Sequence, residues 1–324
     1  MPAEPKGLSV LYPAPPRDLD GMEAFASFAG RLGARRLWLG QSFHLESQMA
    51  LAGLAARLPG LALGTAVSLA PLRHPYQAAV EARTVSVLSK APYVAGYGPG
   101  SVDLQGRLLP QPYDRPLTAM ADYVTVMRQL LDGRTVEHRG PAHRTHYALP
   151  ELPSPGVEVG LGVLRPGMAK TAGAAADVAI TWLAPLPYLT GRLMPALRAG
   201  ARAADRPVPR VASVVHVAVR RTGRDLERAA FAAVGAHLGS AHYTDMLRRA
   251  GLDTDPARPR EGAGRLVDAG VYVTGDPEEI AARLRQYLAH GVDEVIVNVT
   301  GVFLTEGARA ALVDLQAVMT AFAA

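Results

Sequence analysis

Residues 61–100 constrain the fold more than any other stretch, because they have the pattern of strand, loop, helix and strand, closed by a glycine loop. The run 61–68 is nearly continuous in apolar and β-branched residues, as is typical of a strand buried on both faces of a parallel sheet. Apolar residues at helical spacing follow in 74–88, and 93–96 is the next short strand. The glycine loop 96–100 then lies at the carboxyl end of that strand, where parallel α/β folds place their ligand sites.

The same alternation of strand and helix continues along the 324 residues of the chain. Apolar runs separated by helical periods predict eight strands, which are 8–12, 36–39, 61–68, 93–96, 157–163, 177–183, 211–219 and 294–299. No G-x-G-x-x-G motif follows the first strand, so a closed barrel is favoured over an open doubly wound sheet. The prediction is an α/β fold, a (β/α)8 TIM barrel with insertion segments, that forms a single domain over residues 1–324.

Three segments interrupt this alternation and are predicted as insertions near 101–115, 132–156 and 239–269. The first is polar and is interpreted as a loop, and the second has many prolines and glycines without a sustained period, which is typical of an irregular connection. The third is rich in Gly, Pro, Arg and Asp and is interpreted as a loop-and-helix insertion, a candidate lid. Residues 276–279 then have the pattern of a capping box that begins a helix.

Composition limits the class of protein. Hydrophobic residues make up 49% of the chain and charged residues 19%, which predicts a large packed core. No run of about 18 apolar residues is present that would be expected to span a bilayer. The amino terminus carries Glu4 and no apolar segment before Leu8, so no secretory signal is predicted and a cytoplasmic location is expected. The 34 Lys and Arg against 29 Asp and Glu are scattered, so neither nucleic acid nor a membrane is an expected partner.

The sequence also excludes several kinds of catalytic site. It contains no cysteine, which rules out disulfides, thiolate metal sites and cysteine nucleophiles. There is no H-E-x-x-H motif, so no metal site is predicted, and the G-x-S-x-G elbow of many hydrolases is absent. His74 precedes a proline at a helix start, where a structural hydrogen-bonding role is commoner than catalysis.

Three motifs carry a resemblance to a known family. The runs GTAVS at 64–68, RHPYQAAVEARTVSVLS at 73–89 and AGYGPG at 95–100 resemble the luciferase-like family of flavin- and deazaflavin-dependent oxidoreductases. The resemblance implies that the third barrel strand meets the cofactor ring, with a non-proline cis peptide between Ala66 and Val67 as a bulge behind the ring. It implies cofactor contacts from this strand and from the glycine loop, namely Ala66, Val67, Ser68, Gly96, Tyr97, Gly98 and Gly100.

A fourth motif adds to the resemblance. The segment PGMAKTAGAAADV at 166–178 is similar to the turn and helix start that hold the cofactor phosphate in the deazaflavin-dependent branch, where backbone N–H groups and the helix dipole favour an anion. The implied contacts are Val163, Leu164, Arg165, Pro166, Gly167 and Met168. Leu164 and Arg165 depart from the Gly-Pro pair common there, and Arg165 adds a cation. Trp182, near the end of strand six, is either core packing or part of the pocket wall and is counted with the cofactor-binding candidates.

The loop after the second strand departs most from the family. Deazaflavin-dependent dehydrogenases of the family supply a histidine there that takes a proton from an alcohol, whereas this chain has Gln41 and Ser42. Neither side chain has a pKa suited to base catalysis near neutrality. The candidate catalytic residues are therefore Ser42, which orients the substrate or relays a proton, and Gln41, which hydrogen-bonds the ring edge. The alternative is that both only cap the loop.

The resemblance implies coenzyme F420 as the cofactor, with FMN as the alternative. The expected reaction is reduction of a C=C or C=N bond in a biosynthetic intermediate by hydride from F420H2. Alternatives are an FMNH2-dependent luciferase-like monooxygenase and a non-catalytic flavin-binding member. The expected partner is a small-molecule or peptide-intermediate substrate, and a homodimer is possible.

Overall fold

The computed structural model describes residues 7–324, and residues 1–6, on which the expectation about a leader peptide partly rests, lie outside the described part. The strands, in chain order, are β1 (Gly7–Leu11), β2 (Leu37–Leu39), β3 (Leu63–Thr65), β4 (Ser68–Leu69), β5 (Tyr93–Gly98), β6 (Val136–Arg139), β7 (Arg144–Tyr147), β8 (Val157–Gly162), β9 (Val178–Trp182), β10 (Arg210–Val219), β11 (Tyr272–Gly275) and β12 (Glu294–Asn298).

Eight of these strands close into a parallel barrel. The ring runs β1, β2, β3, β5, β8, β9, β10 and β12, and β12 pairs back with β1. Each of the eight predicted strands corresponds to one ring strand, so the (β/α)8 prediction is confirmed. The predicted strand 61–68 is divided, because β3 ends at Thr65 and β4 begins at Ser68.

Helices surround the ring. They are α1 (Leu19–Arg31), α2 (Ser47–Arg57), α3 (Pro75–Ser89), α4 (Val102–Leu108), α5 (Pro116–Leu131), α6 (Pro166–Ala175), α7 (Leu186–Tyr188), α8 (Met194–Ala203), α9 (Leu226–Leu238), α10 (Ala241–Arg249), α11 (Pro259–Asp268), α12 (Pro277–Ala289), α13 (Thr300–Glu306) and α14 (Ala308–Ala323). A 3-10 turn (Ala70–Leu72) precedes α3, and a π-helical turn (Leu189–Leu193) joins α7 to α8. The predicted capping box is confirmed at α12, where Asp276 and Glu279 cap each other's backbone N–H groups. No helix within 7–324 has the length and apolarity needed to cross a bilayer.

The predicted insertions contain more regular structure than expected. The segment 101–115 is not only a loop, because Ser101 caps the first turn of α4. The segment 132–156 was predicted as an irregular connection from its prolines and glycines, but it contains the antiparallel hairpin β6–β7. The third insertion is helical as predicted and consists of α10 and α11, but it returns to the barrel through β11, which was not predicted.

The barrel interior is arranged in layers, because side chains alternate between the interior and the helices along each strand. An apolar middle layer lies within the ring and consists of Leu11, Trp38, Ala66, Val94, Val178, Ile180, Ala212, Val214 and Ile296. Below it, at the amino ends of the strands, the buried Glu294 carboxylate accepts hydrogen bonds from Ser9 Oγ (2.5 Å) and Trp38 Nε1 (2.7 Å). Arg36 and Arg210 provide its counter-charges. The floor of the barrel is therefore closed by a charged network.

Candidate active site

The carboxyl ends of the barrel strands form the mouth of the barrel, and the β3–β4 break lies there. The peptide bond between Ala66 and Val67 is cis, as the resemblance implies. Both side chains contact the interior cluster, although successive residues of a regular strand face opposite sides. Val67 is half-buried. It thus presents its side chain at the mouth, above the apolar layer.

Glycines on the two neighbouring strands make room for Val67. A Cβ atom on Gly98 of β5 would lie 3.0 Å from Val67 Cγ2, and one on Gly162 of β8 would lie 3.4 Å from both Val67 methyls. Gly96, one level deeper, could not carry a side chain, since its Cβ would lie 2.1 Å from the Thr65 carbonyl oxygen. The Thr65 hydroxyl accepts from Gly96 N and donates to Gly96 O, which joins the strands where the bulge begins.

Two of the predicted cofactor contacts have side chains that face the helices instead of the mouth. Tyr97 is fully buried against Tyr123 of α5, and its hydroxyl lies 3.3 Å from Gln48 Nε2. The Ser68 hydroxyl lies at the same distance from that amide nitrogen. The Ser68 side chain thus packs towards α2, and the Tyr97 side chain packs towards α2 and α5. Contact of either residue with a cofactor stays a prediction. Gly100 has a left-handed φ of 70° and leads the chain into α4.

Gln41 and Ser42 lie where β2 leads into α2, and their contacts are within the loop. The Gln41 amide donates to Ser42 O (2.8 Å) and accepts from Leu69 N (3.0 Å), so it joins the loop to β4. The Ser42 hydroxyl is buried and accepts from His44 N (3.1 Å). His44 itself is exposed. These contacts match the loop-capping alternative, while a catalytic role for either residue stays a prediction.

The start of α6 offers backbone donors to an anion. Pro166 occupies the first position of the helix, and no side chain caps the first turn. The N–H groups at the next two positions, Gly167 and Met168, have no partner inside the helix. Arg165 is half-exposed and is held by Asp245 of α10 (Nε to Oδ2, 2.9 Å). Val163 is buried, and Leu164 packs beside the core, so they support the turn.

Close backbone contact between α6 and α8 fixes the position of that helix start. A Cβ atom on Gly200 would lie 1.9 Å from Lys170 O, and one on Gly173 would lie 2.1 Å from Leu197 O. Only glycine permits such an approach of two helices. The turn at the start of α6 is thus held in place by the packing of two helices.

A set of polar side chains lies above the apolar layer, and we call it the polar layer: Trp182 of β9, His216 of β10 and Asn298 of β12. Trp182 is among the predicted cofactor contacts, whereas sequence reasoning missed His216 and Asn298. His216 and Asn298 are register partners on adjacent strands, and the Trp182 and His216 ring centroids lie 5.1 Å apart. Burial lowers the pKa of His216 to about 3, with a smaller contribution from His237, so the ring is uncharged near neutral pH. The sequence signal that could have identified His216 is a single histidine within the apolar run VASVVHVAV.

The third insertion reaches the polar layer through the last turn of α9. His237, at the end of α9, packs on Trp182 with ring centroids 5.3 Å apart, and Tyr243 of α10 packs edge-on against His237 at 4.9 Å. Burial also lowers the pKa of His237, to about 4. Tyr243 of the third insertion is therefore linked to Trp182 of the polar layer through the His237 ring. No group of three or more metal-ligating side chains occurs within residues 7–324.

Comparison with known proteins points in the same direction as the geometry. A family model described as luciferase-like monooxygenase matches residues 5–294. An F420-dependent glucose-6-phosphate dehydrogenase of Amycolatopsis mediterranei is 26% identical over 333 residues, covering 93% of this chain and 95% of the relative. The 5,10-methylenetetrahydromethanopterin reductase of Methanopyrus kandleri is 26% identical over 301 residues, covering 82% and 85%. The solved coenzyme F420-dependent tetrahydromethanopterin reductase from Methanopyrus kandleri is alike in fold, with a TM-score of 0.78 and 21% identity over 99% of this chain and 100% of that one.

Proposed function

The chain belongs to the luciferase-like monooxygenase family and is an oxidoreductase related to F420-dependent enzymes, and from this premise we propose that it reduces a C=C or C=N bond with F420H2. The observation that carries the proposal is the mouth, where Val67 stands over Gly98 and Gly162 beside a layer of uncharged polar side chains. When bound, the reduced deazaflavin supplies a hydride.

The residues present fit two parts of such a cofactor, namely its ring and its phosphate. The half-buried Val67 offers an uncharged surface to a flat ring, and the glycines beside it leave the mouth open. The uncapped first turn of α6 offers N–H groups and the positive end of the helix dipole to a phosphate, with Arg165 beside it. These two features would hold the ring and the phosphate at the same mouth, because Gly162 beside Val67 ends the strand that leads into α6.

The loop after β2 supports a reductase over an alcohol dehydrogenase. Its buried polar side chain is the Ser42 hydroxyl, and its histidine, His44, is exposed. An alcohol substrate needs a base within hydrogen-bond reach of its hydroxyl proton, and neither side chain meets this condition in the loop. A double bond that accepts hydride needs a proton instead, which Ser42 could relay from water.

Cofactor titration tests the proposal directly. We expect the protein to quench the fluorescence of oxidised F420 with a micromolar dissociation constant and to bind FMN far more weakly. Micromolar FMN binding without deazaflavin binding would contradict the proposal.

The second candidate function is FMNH2-dependent oxygenation, because the family model describes monooxygenases. Oxygen consumption with reduced FMN, measured in an oxygen electrode, would identify that activity. Tight cofactor binding without turnover of any acceptor would instead favour a non-catalytic member.

Arg165→Ala is expected to weaken F420 binding by about 1–3 kcal/mol, as for loss of a charge-assisted hydrogen bond to the phosphate. The matched control is Arg249→Ala, since Arg249 is exposed and also pairs with Asp245 (2.8 Å) but lies on α10. Fluorescence titration of both variants should show weaker binding only for Arg165→Ala. Equal dissociation constants for Arg165→Ala and wild type would remove Arg165 from the phosphate site.

A further inference from the structure

The polar layer contains several buried polar atoms that have no hydrogen-bond partner within residues 7–324. They are Trp182 Nε1, both ring nitrogens of His216, and Asn298 Nδ2. His216 and Asn298 are each 1% exposed, and both belong to the interior-facing series of their strands. All of these atoms therefore lie inside the barrel, at the level above the apolar layer and below the mouth.

Such a cluster is costly unless a ligand completes it. Each unsatisfied buried donor or acceptor costs about 1–3 kcal/mol, and folded proteins leave few of them. The apolar middle layer directly beneath shows that this interior readily accommodates hydrophobic side chains at the same strands. Buried polar side chains that replace apolar ones in a core are expected at functional sites.

The chemistry of the layer defines what it binds. Trp182 Nε1 can only donate, and Asn298 has its Oδ1 engaged by Thr300 N (2.8 Å), which leaves the Nδ2 hydrogens as donors. The uncharged His216 ring has one donor and one acceptor nitrogen. The interior positions at this level, which also include Gly98 and Gly162, carry no charge. The layer is thus suited to a neutral acceptor oxygen and lacks the cations that a phosphate or carboxylate requires.

We propose that Trp182, His216 and Asn298 bind the carbonyl oxygen of a neutral substrate whose reducible C=C or C=N bond is conjugated to that carbonyl. This assignment rests on the proposed function. When hydride adds to the far atom of the conjugated bond, the electron pair of that bond moves to the carbonyl oxygen, where the donors stabilise the charge. A proton from water then completes the reduction. An unphosphorylated enone or a conjugated imine fits this layer, and a sugar phosphate does not.

The test uses cyclohex-2-en-1-one and glucose 6-phosphate as probes with the apo-protein, and ligand-observed NMR as the measurement. We expect wild type to bind the enone and not the phosphate. Trp182→Phe and His216→Phe should each weaken enone binding about 3- to 10-fold through loss of one hydrogen bond. His216→Gln retains a donor and an acceptor and should stay within about 2-fold of wild type. Tyr76→Phe on α3, outside the barrel, is the control for a substitution to phenylalanine that removes a polar group away from the polar layer.

Thermal unfolding separates this role from a structural one. Since the His216 nitrogens have no partner within residues 7–324, His216→Phe should keep or raise the unfolding midpoint while it loses enone affinity. Trp182→Phe also removes ring volume that packs on His216 and His237, so only its enone affinity is compared. A lowered midpoint together with unchanged enone affinity would overturn the proposal, as would absence of enone binding to wild type.

Titration of the same variants with oxidised F420 is the second measurement. Weaker F420 binding with unchanged enone binding would assign the layer to the cofactor ring and overturn the proposal. Failure of wild type to bind F420 would overturn the proposed function alone, because the enone measurement needs no cofactor.

Discussion

Glu294→Ala is expected to lower the free energy of unfolding by about 3–5 kcal/mol, the range for removal of one partner of a buried ion pair. The carboxylate is fully buried, and it accepts hydrogen bonds from Ser9 and Trp38. Its oxygens also lie 3.4 Å from nitrogens of Arg36 and Arg210. Arg210 keeps Glu158 as a partner, and the buried Arg36 would lose the Glu294 carboxylate. The loss of a charged partner, and not the loss of volume, dominates the effect.

Urea unfolding followed by circular dichroism measures this effect. Glu23→Ala is the matched control, because Glu23 pairs with Arg57 (3.1 Å) at the surface, where such pairs contribute about 0.2–1 kcal/mol. An equal loss of unfolding free energy in both variants would show that the Glu294 network stabilises the barrel no more than a surface ion pair does.

The same residue predicts a dependence of stability on pH. Burial alone would raise the pKa of Glu294, but the charge of Arg36 and the bonds from Ser9 and Trp38 outweigh it and hold the pKa below its ordinary value. The stabilisation is therefore complete above the unfolded-chain value of about 4.3 and is lost as the pH falls through the lower folded-state pKa. Glu294→Gln should remove this part of the acid dependence, so its unfolding free energy should fall less steeply below pH 4 than that of wild type.

Gly200→Ala is expected to destabilise the protein by about 3 kcal/mol, the upper end for an overpacked contact. Alanine in a helix normally gains up to about 1 kcal/mol over glycine. Here the new Cβ would lie 1.9 Å from Lys170 O, and a backbone atom cannot be relieved by a rotamer change. Separation of α6 from α8 would also displace the first turn of α6, so F420 affinity should fall in the same variant.

Calorimetry and fluorescence titration measure the two effects together. Gly30→Ala is the control, since this glycine of α1 has no atom within 4 Å of the added carbon and should be neutral or slightly stabilised. Wild-type stability and wild-type F420 affinity in Gly200→Ala would show that the helix pair tolerates separation. A stability loss with unchanged affinity would show instead that the start of α6 does not contact the cofactor.

The eight ring strands were predictable because each is a buried apolar run with a clear end, as in 294–299. The hairpin β6–β7 was not, because its residues Val136–Arg139 and Arg144–Tyr147 are mostly polar and partly exposed, so no alternation marks a buried face. The direction of the Tyr97 side chain could not be predicted, because a strand next to a bulge offers two faces and sequence alone does not say which is interior. His216 was missed because its environment is assembled from β9, β10 and β12, which are distant in sequence.

Strand β10 has ten residues and two different neighbours along one edge. Arg210–Val214 pair with β9, and His216–Val219 pair with β11, the strand by which the third insertion returns. The insertion is therefore attached at both ends, by α9 and by β11, while the closed ring does not depend on it. For protein engineering, residues 239–271 form an exchangeable cassette. Its replacement would change the wall beside the polar layer while Val67 and the backbone of α6 stay in place. Arg165 takes its ion-pair partner Asp245 from this segment, so a library that varies acceptor range has to keep an acid at that position.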